Sequence, residues 1–204
     1  MVSGCTSGRR PGVTRKDAIL RAATELFATQ GFDATATAAV AKAAGVAEGT
    51  IFHHFKTKDG LLLTIFERMM SSYLKGARME MDQAITGLDA IERYIRFHFR
   101  FLKEYSQESL LISRDIPSHF FSPEFPHRKQ VANHVSQIVG LLKDNLELGQ
   151  EDGSIREVAV DKTVFILRGL LIGLTRQRLL GLLEVPDLGE EAVDFCHRSL
   201  ARLF

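Results

Sequence analysis

The stretch AKAAGVAEGTIFHHFKTK, residues 41–58, holds Gly45 between two short segments of helical composition. Small apolar residues and one lysine precede the glycine. A glutamate, a glycine, a threonine, two phenylalanines and two histidines follow it within about three turns of helix. Two helices joined by a three- or four-residue turn containing glycine, the second one exposed, make a helix-turn-helix. Val40, Ala41 and Ala44 are small enough for a close, steep crossing. Val46 and Ile51 are expected to point back into a small core, with Phe55 closing it. Glu48, Gly49, Thr50, Phe52, His53 and His54 then face outward, where a major groove can receive them.

The flanking sequence supplies the rest of such a domain. Thr14, with Asp17 three residues on, predicts a capping box. Ile19, Ala22, Ala23, Leu26 and Phe27 follow as one buried stripe, ended at Gly31. A second helix is expected over 37–43 and a third over 47–54. Thr57 reads as the N-cap of a long fourth helix in which Leu62, Ile65, Phe66, Met69 and Tyr73 keep helical phase. Further helices are expected at 88–105, 107–115, 124–149, 158–183 and 188–203, the last opened by Asp187 and Glu190. DIPSHFFSPEFP, residues 115–126, reads as an internal loop, and nothing has the alternation of a strand. The expected fold is all-α, with about nine helices in total. The expected organisation is a disordered basic arm over 1–13, a helix-turn-helix domain over 14–58, and a second helical domain over 59–204.

Composition is that of a globular protein, with 45% hydrophobic and 25% charged residues. Residues 1–60 carry eight Lys/Arg against five Asp/Glu, whereas the remainder carries eighteen against twenty. A basic end on a slightly acidic body points to a polyanionic partner for that end. The most apolar run, 163–183, contains Arg168, Arg176 and Arg178, which argues for a buried helix rather than a membrane span. The start lacks a signal peptide's pattern, and Cys5 and Cys196 make neither a disulfide framework nor a metal cluster. A cytoplasmic location is expected. No Gly-rich phosphate loop, GxSxG or HExxH is present, so no enzyme and no cofactor is expected; Asp115 and His119 alone define no catalytic site. Adjacent His53 and His54 diverge by about 100° around a helix and lack a third ligand, so no metal is expected.

Individual side chains fit duplex DNA. Gly49 removes a side chain where the helix meets the duplex. Thr50 can hydrogen-bond a base edge and touch a thymine methyl. Thr35, Thr37, His54 and Lys58 are placed to hold phosphates, which fixes orientation without reading sequence. The arm's GRRPG, residues 8–12, has two readings: a minor-groove contact, or a solubilising tail.

AKAAGVAEGTIFHHFKTKDGLL, together with TRKDAILRAATELFATQGFDATATAAVAKAAGV before it, resembles the DNA-binding signature of the TetR/AcrR family of bacterial transcriptional regulators. The resemblance covers residues 14–66. It implies DNA contacts at Thr37, Gly49, Thr50, Phe52, His53, His54 and Lys58. Phe52 stands where that family most often has tyrosine, which removes a phosphate-binding hydroxyl. Glu48 replaces the usual small or basic residue. It either accepts from a cytosine amino group or sits solvated and unfavourable near phosphate.

One such unit contacts too few base pairs to find an operator, so a homodimer on a palindromic double-stranded site is expected. The last two helices are the dimerisation candidates: Gly169 and Gly173 lie on one face near Arg176 and Leu180, in a helix that is apolar nearly all round. The resemblance also implies a ligand cavity bounded by helices four to eight. Phe66, Met69, Met70 and Tyr73 are candidates for one wall, Tyr94, His98, Phe101 and Leu102 for another, and Phe120, Phe121 and Phe125 for a lid. Each reads more readily as core than as pocket wall. Such a cavity would take a small hydrophobic effector. The expected function is a repressor released from its operator by that ligand. The alternative is a structural or cell-division factor on the same fold without an effector, which occupies many dispersed sites.

Overall fold

The structure, a computed structural model, describes residues 14–115, 122, 124, 127–181, 184 and 186–202. The arm at 1–13 with Cys5, the lid candidates Phe120, Phe121 and Phe125, and His119 lie outside the described residues. Among those described there are nine helices: α1 (Arg15–Gln30), α2 (Thr37–Ala44), α3 (Glu48–Phe55), α4 (Lys58–Met81), α5 (Gly87–Glu104), α6 (Ser106–Asp115), α7 (Arg128–Glu151), α8 (Val160–Leu180) and α9 (Gly189–Leu200). The only strand-like feature among them is an isolated bridge between Ile155 and Ala201. The fold is all-α. Two compact units meet within α4, between Ile65 and Phe66, where the sequence places the boundary at 58/59.

In the first unit Thr14 forms the expected capping box, its hydroxyl accepting from Asp17 N–H and the Asp17 carboxylate accepting from Thr14 N–H. Ile19, Ala23 and Phe27 are fully buried along α1, and Phe27 meets the edge of Phe32 with ring centroids 5.1 Å apart. Val40, Ala41, Ile51 and Phe55 complete this core from α2 and α3, and Leu61, Leu62 and Ile65 of α4 are buried too. Two glycines set the angles. Gly45 is left-handed (φ 67°); its N–H bonds the Lys42 carbonyl, and Val46 N–H bonds the Ala41 carbonyl at 3.0 Å. That pair of bonds is the Schellman ending, which turns the chain sharply into α3. At Gly60, a Cβ would lie 2.1 Å from the Phe55 carbonyl oxygen, so only glycine lets the start of α4 pass the end of α3.

The second unit is built around α5. Leu88, Ile91, Tyr94, Ile95, His98 and Phe101 recur at helical spacing on its buried face, packed among residues of α4, α7, α8 and α9. Cys196 is buried in α9, and burial pushes its thiol up to about 11, which leaves it unreactive. The last helix starts differently from its sequence reading. Leu188 holds the N-cap position with no side-chain cap, and Asp187, one residue earlier, accepts from Gly189 N–H at 3.3 Å. α7 begins at Arg128, two residues after the last proline of the preceding segment, rather than at 124.

Gly60→Ala is expected to lower stability by about 2 kcal/mol or more, because the obstructing atom is backbone rather than a movable side chain. Urea unfolding measures it. An unchanged midpoint would mean that the α3–α4 junction yields without cost.

Candidate nucleic-acid interface and effector region

The outer face of α3 is solvent-facing. Glu48, Gly49, His53 and His54 are exposed, Phe52 is 44% exposed, and Thr50 is half-buried, whereas Ile51 and Phe55 of the same helix are buried. A Cβ at Gly49 would meet nothing within 4 Å, so the glycine leaves a flat approach for a partner rather than relieving an internal contact. The His53 and His54 rings sit edge to face, with centroids 5.2 Å apart.

The expected phosphate anchors divide. Thr35 is a correction: it is 1% exposed, its hydroxyl donates to the Gly31 carbonyl at 2.7 Å, and its N–H donates to the Phe32 carbonyl. It knots the α1–α2 turn and is not available to a phosphate. Thr37, the first residue of α2, donates its hydroxyl to Glu48 Oε1 at 2.6 Å, which fixes the carboxylate at the N-terminal end of α3. Lys58 donates to the Asp33 carbonyl at 3.2 Å and lies 4.5 Å from the Phe32 ring centroid, so its ammonium is held at a defined place.

One residue beside this face was not singled out from the sequence. Lys56 closes α3 with φ 66° and ψ −48°, the conformation of a strained γ-turn, and Thr57 N–H bonds the Phe55 carbonyl at 2.7 Å across it. Its ammonium donates to the His53 carbonyl, which brings a cation beside the exposed histidines. Its position after the last turn of the exposed helix was the available signal.

In the second unit the expected pocket walls are mostly packed core. Phe66, Met69, Tyr73, Tyr94, His98 and Phe101 are all buried, and Met70 packs partly buried against them. Tyr73 alone meets the rings of Tyr94, Phe97, His98 and Phe101 at 5.1–6.1 Å. A chain of hydrogen bonds threads this aromatic cluster. Tyr94 OH and Tyr73 OH are 2.8 Å apart, Tyr73 OH is 2.8 Å from His98 Nδ1, and His98 Nε2 is 3.0 Å from Thr175 Oγ1. It links α5, α4 and α8. Burial pushes His98 from its ordinary value down to about 4, against the hydrogen-bonding Leu171 carbonyl, so the ring is neutral. Burial likewise raises both tyrosines.

A cavity of about 320 Å³ lies beside Thr175, between α5, the start of α6 and α8. Phe99, Leu102 and Leu179 supply apolar lining, Ser106 and Thr175 hydroxyls, and Lys103 and Arg178 positive charge. Of the expected wall residues only Leu102 lines it. A threonine directly after the apolar run 169–174 was the available sequence signal for this cavity.

The outer face of α8 is apolar and uncovered. Phe165, Ile166 and Ile172 are 52–68% exposed, and Phe195 of α9 is 62% exposed. Gly169 and Arg176 are exposed on this helix, Gly173 and Leu180 are half-buried, and a Cβ at either glycine would meet open space.

A three-helix unit whose last two helices are joined by a Schellman turn, with the outer face of α3 exposed, is a helix-turn-helix of the kind that binds DNA. Residues 19–65 match the family described as bacterial regulatory proteins, tetR family. The chain is 25% identical over 166 residues to the fatty acid metabolism regulator protein of Bacillus subtilis (strain 168), covering 81% of this chain and 78% of that protein. Its fold is similar to FadR from Bacillus subtilis in complex with stearoyl-CoA, with a TM-score of 0.76 at 20% identity over 87% of this chain and 95% of the other. It is also similar to AibR in complex with isovaleryl coenzyme A and operator DNA, with a TM-score of 0.72 at 18% identity over 94% and 100% of the two chains. Residues 19–65 are thus a DNA-binding region of the tetR-family type. No described helix is long and apolar enough to cross a membrane.

His98 also makes a stability prediction. Its folded-state value of about 4 lies below the unfolded value near 6.5, so the unfolded chain takes up a proton first. The contribution of the neutral ring is complete above about pH 6.5 and is lost as pH falls towards 4, in total roughly 3 kcal/mol. Denaturant titrations across that range should show this slope in the native protein and a shallower one in His98→Gln. Parallel slopes would contradict the assignment.

Proposed function

We propose that the chain acts in the bacterial cytoplasm as a homodimeric repressor that binds a palindromic operator and leaves it when a small ligand with an apolar portion binds. The observation that carries this reading is the outer face of α3: Gly49, Phe52, His53 and His54 are exposed, with Lys56 and Lys58 fixed at its C-terminal end. Thr50, His54 and Lys58 hold phosphate and groove edges, Thr37 offers its backbone N–H at the start of α2, and Glu48, oriented by the Thr37 hydroxyl, accepts from a cytosine amino group. Phe52 adds apolar contact where the resemblance would place a hydroxyl.

Dimerisation uses α8 and α9. Phe165, Ile166, Ile172 and Phe195 are too exposed and too close along the helices for a free surface, and Gly169 and Gly173 permit a close crossing. Two copies then present two recognition helices, which must stand roughly 34–36 Å apart to read adjacent turns of one DNA face. α4 is one helix from Lys58 to Met81, so it carries both a DNA-facing lysine and Tyr73 of the buried polar chain. A ligand that prefers dimers with a different spacing draws the population away from the operator-binding state, and operator affinity falls by linkage. The acyl-CoA complexes of FadR and AibR support an effector of this general kind.

Mapping of bound sites across the genome, followed by titration on the strongest site, tests the reading. A few palindromic sites beside promoters are expected; many scattered sites away from promoters would favour an architectural factor. Ile166→Asp should convert a dimer of 22.8 kDa chains to monomer in sedimentation and weaken operator binding by about a hundredfold or more. Glu48→Ala should relax the preference at one base pair by about 1–3 kcal/mol while leaving the salt dependence nearly unchanged.

A further inference from the structure

We infer that the cavity beside Thr175 is an anion-anchored effector site, taking a small amphiphile whose acceptor oxygens meet Thr175, Lys103 and Arg178 and whose apolar chain lies on Phe99, Leu102 and Leu179. It rests on the proposed function only for what the binding achieves.

The protons of the buried chain give the first argument. Three hydroxyls and one neutral imidazole are joined by three hydrogen bonds, and the ring carries one N–H. If that N–H is on Nδ1, it donates to Tyr73, Tyr73 donates to Tyr94, and the Tyr94 proton is left without an acceptor inside the core. If it is on Nε2, it is offered to Thr175 Oγ1 and to the Leu171 carbonyl, the carbonyl that hydrogen-bonds this ring. Tyr73 then donates to Nδ1 and Tyr94 to Tyr73, and every donor buried in the cluster has an acceptor. The second arrangement avoids a buried orphan and is therefore the populated one. Its consequence lies at the far end. Thr175 accepts from His98, so its own hydroxyl proton is free, and Thr175 lines the cavity. The site presents a hydrogen-bond donor to whatever enters.

Charge gives the second argument. Among the described lining residues Lys103 and Arg178 are the ionisable groups, both positive, and none is a carboxylate. Lys103 has no ion-pair partner among the described residues. Arg178 has a loose one, Asp187 at 3.7 Å, itself 67% exposed. A ligand anion can replace that contact at little cost. One donor and two cations around an apolar floor call for an acceptor that carries charge and is joined to hydrocarbon. The volume, about 320 Å³, is at the small end of the range for ligand sites. The charge can come from a free carboxylate or from the phosphates of a thioester-linked carrier; the chemistry at the two cations is the same.

Isothermal titration of the full-length protein in the absence of DNA, with octanoate, octan-1-ol and octanoyl-CoA, tests this. Octanoate or octanoyl-CoA is expected to bind, and octan-1-ol at least about tenfold more weakly. Lys103→Ala and Arg178→Ala, at exposed positions that fold independently of the site, should each weaken the anion about tenfold and leave octan-1-ol unchanged. Thr175→Val, which keeps the shape, should weaken the anion similarly. Binding of octanoyl-CoA alone places the anchoring charge on phosphate; binding of octanoate as well places it on carboxylate. The inference is overturned if neither anion binds, if the alcohol binds as tightly, or if the three variants bind the anion like the native protein. Operator affinity of the unliganded protein, measured separately, tests the regulatory reading: its absence with anion binding intact would overturn that reading and leave this one standing.

Discussion

The turn at Gly45 is the constraint on which the DNA-facing unit depends. Two backbone bonds, Gly45 N–H to Lys42 and Val46 N–H to Ala41, satisfy the last carbonyls of α2 while reversing the chain in the left-handed region. Because the turn is so short, α3 must cross α2 closely, and only small residues at Val40 and Ala41 allow it. The crossing buries Ile51 and Phe55 and thereby decides that Glu48, Phe52, His53 and His54 of the same helix are left outside. Exposure of the recognition surface is a by-product of satisfying carbonyls and filling a core, and needs no contact with DNA to form.

The second unit is under the opposite constraint, having polar groups in an apolar interior. Tyr73, Tyr94, His98 and Thr175 bring four side-chain dipoles into the core, and each would be destabilising alone. Joined in series they satisfy one another, and Thr175, at one end of the series, lines a cavity. A buried network of this kind specifies geometry more sharply than apolar packing does, because its bonds are directional. It therefore ties α4 to α5 and α8 at one defined register, where leucines alone would tolerate slippage.

Legibility followed the range of the interactions. Caps and turns act over three to five residues, so Thr14, Gly31, Gly45 and Thr57 marked the first three helices and the start of the fourth to within a residue or so of their positions. The outward face of α3 was legible for the same reason, since alternation of buried and exposed residues along eight residues is local. Thr35 was misread because its burial depends on how the α1–α2 connection folds over Leu26 and Gly31, which periodicity does not encode. The pocket was the least legible. Aromatic residues on α4 and α5 have the composition of either a wall or a core, and which they become depends on how four helices meet. Helical phase placed Tyr73, Tyr94 and His98 inward, and only the three-dimensional packing joined them through hydrogen bonds.

Charge placement separates the two surfaces by function. Around α3, cations are held by backbone carbonyls: Lys56 by His53 and Lys58 by Asp33. A carbonyl positions an ammonium without neutralising it, so the full charge remains for a phosphate, and the side-chain entropy of fixing it has already been lost before DNA arrives. On the body Arg93, Arg96, Arg100, Lys143 and Arg198 are paired with carboxylates, although Arg156 donates to the Ser199 carbonyl and Lys103 has no ion-pair partner among the described residues. Paired cations present little net field, and free but positioned ones present a strong one. The near-zero net charge of the chain thus conceals a polarity that arises less from where the cations are than from which groups hold them.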